Sequence, residues 1–152
     1  MSQPLYAVAD FCLIPMGTPT TSVGEYITEC QRVLESMKDD GIRYEVHGYG
    51  TNLEGSFPVV CKAIERCHEA VHKLGALRIA TDIRIGTRTD KPPPTFDAAA
   101  PGSQGSSAKA EEAAAAGGGG NADDWSRGLT ENQRRKESVL RRLHADEAKG
   151  SA

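Results

Sequence analysis

Three carboxylates fall inside strand-like stretches: Asp10 inside an apolar run, Glu54 inside a short polar run and Asp82 inside a strict alternation. Carboxylates accept strongly from amino and guanidinium groups, and bonds of that charge-assisted kind are the stronger ones. Two uses follow for Asp10, Glu54 and Asp82. They pair with Arg78, Arg84 or Arg88 on one sheet face, or they line a pocket for a small cationic or amino-bearing ring, with Thr51 and Asn52 orienting it. Tyr44 or Tyr49 offers a flat surface for stacking, and either is equally suited to packing at the core or edge.

Other spacings point to other chemistry. His68-Glu69-Ala70-Val71-His72 reads H-E-x-x-H, which on a helix sets two imidazoles one turn apart, as in zinc hydrolases. A catalytic zinc site also needs a third protein ligand and a cleft, and a small domain offers little room for one. A metal-dependent hydrolase is therefore the remote alternative, and a solvated histidine pair the plainer reading. Cys12, Cys30, Cys61 and Cys67 fall within element faces rather than at regular loop spacings, as small reduced core residues do.

The elements that must position these groups are legible from periodicity. Tyr6 to Ile14 alternates as a strand, with Asp10 on the face of Val8, Cys12 and Ile14. Ser22 and Glu25 have capping-box spacing ahead of the helical stripe Val23, Tyr26, Ile27, Cys30, Val33, Leu34 and Met37. Gly41 suits the left-handed position that closes that helix. Ile42 to Tyr49 and Thr51 to Gly55 read as the second and third strands, the third a polar strand presented on the open face. Ser56 and Pro58 start a second helix, striped by Val60, Ile64, Cys67, Val71 and Leu74 and closed by Gly75. Leu77 to Arg88 alternates strictly as a fourth strand, with Arg78, Asp82 and Arg84 on one face. Strand, helix, strand, strand, helix, strand with one apolar face per helix predicts an α+β, ferredoxin-like βαββαβ fold. It is a four-stranded antiparallel sheet with both helices on one side and the other side open.

The 152 residues divide in composition. Residues 1–91 form the periodic domain, 92–129 are expected to be a disordered Pro/Ala/Gly/Ser-rich linker, and 130–149 read as a charged, partly ordered C-terminal helix with a second capping box at Thr130 and Gln133. A core drawn from ~90 residues is small enough to favour association with other copies. The net charge of −3 shows no one-signed block, which argues against nucleic acid as a partner. No run approaches a membrane span and no signal segment is visible, so a cytoplasmic protein without a membrane partner is expected.

Several residues together carry a resemblance: Ile14-Pro15-Met16-Gly17, Tyr44-Glu45, Gly50-Thr51-Asn52-Leu53-Glu54-Gly55, Arg66-Cys67-His68-Glu69-Ala70, Gly75, Arg78 and Arg88-Thr89-Asp90-Lys91. Over residues 6–91 the chain resembles the small thiamine-binding (YkoF-like) family, which includes short fungal and prokaryotic stand-alone members. The resemblance implies a ferredoxin-like fold, dimers or tetramers, no catalytic activity, no cofactor, and thiamine or its hydroxymethylpyrimidine part as ligand. Thr51 and Glu54 match the family's G-T-x-x-E-G strand, and His68 and Arg78 match other recurrent polar positions. The expectation is thus a non-enzymatic binding protein with a pocket on the open face near a subunit interface, lined by Asp10, Thr51, Glu54, Arg78 and Asp82. An assembly module that uses that face only for self-association, with no physiological small ligand, is the alternative.

Overall fold

The computed structural model describes residues 3–94 and 128–150. The chain divides into two units, residues 1–91 and 92–152. Most of the stretch expected to be linker, residues 95–127, lies outside the described residues.

In the first unit the elements run β1 (Tyr6–Met16), α1 (Gly24–Ser36), β2 (Arg43–His47), β3 (Gly50–Ser56), α2 (Phe57–Lys73) and β4 (Arg78–Thr87). The strands form one antiparallel sheet in the order β2-β3-β1-β4. This is the expected ferredoxin-like arrangement. The long central strand β1 is bordered on one side by the β2–β3 hairpin and on the other by β4.

Alternation along β1 divides the sheet into two faces. Ala7, Ala9, Phe11 and Leu13 are buried and pack with Leu53, with Cys30 and Leu34 of α1, and with Val60, Ala63, Ile64, Cys67 and Val71 of α2. Met37, Ile42 and Ala76, from the connections, complete this core. Tyr6, Val8, Asp10, Cys12 and Ile14 fall on the opposite face. α1 is closed by a 3-10 turn at Lys38–Asp40 followed by Gly41, whose φ of 90° is left-handed and disfavours a side chain. Gly75, at φ 99°, ends α2 in the same way.

The start of α1 differs from expectation. Its N-cap is Val23 and no side chain caps it. Ser22 instead accepts from the Gly24 amide at 3.4 Å, one residue too early for a reciprocal bond with Glu25. In the second unit, α3 (Glu131–Gly150) is capped by both halves of a capping box. The Gln133 amide donates to Thr130 Oγ1 at 3.2 Å, and the Thr130 amide donates to Gln133 Oε1 at 2.9 Å.

Candidate functional site

On the face away from the helices, the strand registers decide which side chains meet. Asp10 on β1 lies opposite Asn52 of β3 on one side and Arg84 of β4 on the other. Arg84 Nη2 donates to Asp10 Oδ2 at 2.8 Å. The other oxygen, Oδ1, is 2.9 Å from Nε2 of His47, which sits two strands away on β2. The Tyr49 amide donates to His47 Nδ1 at 3.3 Å, so the neutral ring carries its proton on Nε2 and donates it to Asp10.

His47 can reach across β3 because the residue beneath it is Gly50. A Cβ there would lie 3.2 Å from His47 Cε1, 3.1 Å from Asp10 Oδ1 and 2.7 Å from the backbone oxygen of Phe11. The tight β2–β3 turn pairs His47 with Gly50 and so folds the ring back over the gap. The result is a polar bridge, His47–Asp10–Arg84, spanning the sheet. The Arg84 guanidinium first, and His47 with it, hold the Asp10 carboxyl below its usual range, against the opposing effect of its partial burial.

Glu54 lies diagonally beside Asp10, opposite Val8 on β1 and Arg43 on β2. It is 2% exposed, and the Tyr6 hydroxyl donates to its Oε2 at 3.1 Å. Two carboxylates on adjacent strands, one buried and one partly open, thus share a face with Tyr6, Asn52 and His47. A carboxylate oxygen has more than one lone pair, so Asp10 keeps acceptor capacity beyond its bonds to Arg84 and His47.

The residues singled out in the sequence do not all converge. Arg78 and Asp82 share the face of Asp10 but sit on the outer strand, opposite Met16 and Cys12, and both are exposed. Thr51 is elsewhere. It pairs with Phe11, so it points under the helices, where it is buried and accepts from Gln31 Nε2 at 3.1 Å. The sequence pattern alone predicts the whole polar strand on the open face. The period of two sends Asn52 and Glu54 there and turns Thr51 to α1. Conversely, His47 and Tyr6 were not singled out. The signal for His47 was the Gly48-Tyr49-Gly50 turn, which brings the preceding side chain back over a residue that lacks one.

The other constellations serve structure. His68 Nε2 is 2.7 Å from Thr81 Oγ1. His72 Nδ1 donates to the Ala76 carbonyl at 2.6 Å, which helps close α2. The two rings are 6.4 Å apart and tilted, each with a nitrogen already engaged. No group of three ligating side chains suited to a metal occurs among the described residues. Cys67 and Cys30 meet between the helices, and the Cys67 thiol donates to the Cys30 carbonyl. Its contact with Cys30 and its burial push that thiol far up, so it stays protonated and inert.

Comparison with known proteins matches residues 9–98 to the family model described as thiamine-binding protein. A UPF0045 protein of Synechocystis is 47% identical over 90 residues, covering 59% of this chain and 71% of the relative. A UPF0045 protein of Eremothecium gossypii is 37% identical over 87 residues, covering 57% and 80%. Among solved structures, a hypothetical protein from Methanocaldococcus jannaschii superposes with a TM-score of 0.51 at 28% identity, covering 57% of this chain and 84% of that one.

Proposed function

The chain belongs to the thiamine-binding protein family, and from that premise we propose that it is a non-enzymatic binding protein for thiamine or a related hydroxymethylpyrimidine, seated on the sheet face opposite the helices. The observation that carries this reading is the register that sets Asp10 and Glu54 on adjacent strands of one face, with Tyr6 and His47 beside them. An aminopyrimidine offers an exocyclic amino group and a flat ring. A carboxylate accepts from the first, and a neighbouring aromatic ring packs on the second. Tyr6 and His47 hold the two carboxylates in place, while Arg78 and Asp82 lie further out along the same face, as rim rather than floor.

Titration calorimetry of the purified full chain with thiamine tests the reading. Saturable heat is expected, and Glu54→Gln should weaken binding by about tenfold or more, as loss of a charge-assisted bond does. A wild-type chain that shows no heat up to millimolar thiamine and pyrimidine analogues would sink the proposal.

A further inference from the structure

Tyr49 is an aromatic ring that the site leaves unused. It lies in the turn between His47 and Gly50 and is 90% exposed. Among the described residues its side chain has no hydrogen bond and no ring contact. So bare a ring buries little apolar surface and adds little to folding. Its backbone, by contrast, is tied to the site. The Tyr49 amide donates to His47 Nδ1 at 3.3 Å, and Nε2 of the same imidazole is 2.9 Å from Asp10 Oδ1. The other described aromatic rings are committed elsewhere. Phe11 is buried in the core, and Tyr26 and Tyr44 pack against it. Phe57 opens α2 at the end of β3 away from the turn. Tyr6 lies at that same end, bonded to Glu54.

We propose that Tyr49 closes over the second ring of a two-ring ligand, and so makes the site prefer thiamine to its hydroxymethylpyrimidine part alone. The inference rests on the ligand reading above, which leaves that choice open. Along the open face, Glu54, the Asn52–Asp10 pair and the His47–Gly50 pair occupy successive rungs. Each rung is roughly 7 Å from the next, two residues along a strand. A single pyrimidine bonded to Glu54 therefore stops short of the turn. A second ring linked to it reaches the rung of His47, with the imidazole beneath it and Tyr49 at its open side. The thiazolium ring of thiamine is a cation whose quaternary nitrogen carries no hydrogen, so a carboxylate holds it by charge alone. Arg84 already offsets much of the charge of Asp10. The face of an aromatic ring supplies the remaining attraction, since it draws a cation within about 6 Å of its centroid. Among the described residues nothing lies within 4 Å of the Cβ position of Gly48, so no packed group obstructs the approach of the turn.

Calorimetry of the full chain with thiamine and, separately, with hydroxymethylpyrimidine tests the assignment. The wild type is expected to bind thiamine about tenfold more tightly than the pyrimidine, the gain of one cation–ring contact and its buried area. Tyr49→Ala should weaken thiamine by about fivefold or more and leave the pyrimidine within about twofold, so that the preference collapses. Tyr49→Phe keeps the ring face and should retain it. Because Tyr49 is so exposed, neither variant should move the melting midpoint by more than about 4 °C, which separates a lost contact from a lost fold. Equal thiamine affinity in wild type and Tyr49→Ala, or equal loss for the two compounds, overturns the role of Tyr49 and leaves the ligand reading standing. A wild type that gives no heat with either compound removes both.

Discussion

At the scale of single residues, Asp10 determines most of the open face. It is bonded to side chains from strands on either side, and its carboxyl is held below the ordinary range chiefly by Arg84. A carboxylate with a depressed folded-state pKa adds stability that is fully present above its unfolded value. That stability is lost as pH falls through the folded value. The melting temperature of the wild type should therefore exceed that of Asp10→Asn at neutral pH, and the gap should close below about pH 4, where the unfolded-state carboxyl protonates. Thermal melts of both chains from pH 7 to pH 3 measure this directly; a gap that does not change with pH would contradict the Arg84 assignment. Asp10 itself was legible in the sequence, because a charge inside an apolar strand stands out. Its partner His47 was not, since the contact skips a strand and depends on Gly50 having no side chain.

At the scale of elements, periodicity found every strand and helix of the first unit, because each is amphipathic and bounded by Gly, Pro or Asp. Boundaries and facing were harder. Ser22 and Glu25 form no capping box because the helix begins at Gly24, and the polar strand β3 does not lie wholly on the open face. A strand of alternating polar and apolar residues does not reveal which parity faces the core until its register with a neighbour is known. The pairing of Thr51 with Phe11 supplies that register and gives Thr51 a packing role beneath α1. Thr51→Val keeps the shape but leaves Gln31 Nε2 without its acceptor. It should cost about 1–3 kcal/mol in urea denaturation, the penalty for a buried donor left unmade. Thiamine affinity should stay at the wild-type value, whereas a residue on the ligand would change it.

At the scale of the whole molecule, the chain forms two units, residues 1–91 and 92–152. All of the apolar core described above belongs to the first unit, its sequence-last residue being Ala76. Residues 1–91 expressed alone are therefore expected to fold, with circular dichroism and a melting temperature within a few degrees of the full chain. A truncated chain that melts more than about 10 °C lower would show that the second unit supports the first, since in a domain of this size 1 kcal/mol shifts the midpoint by roughly 4–8 °C.

The bridge over Gly50 also bears on how the sheet comes apart. An outer strand ordinarily loosens from its free margin inward, one rung at a time. Here the last residue of β2 is latched to the middle strand through His47 and Asp10. Peeling β2 away must first release that latch, so the margin beside the hairpin tip opens together with the interior rather than ahead of it.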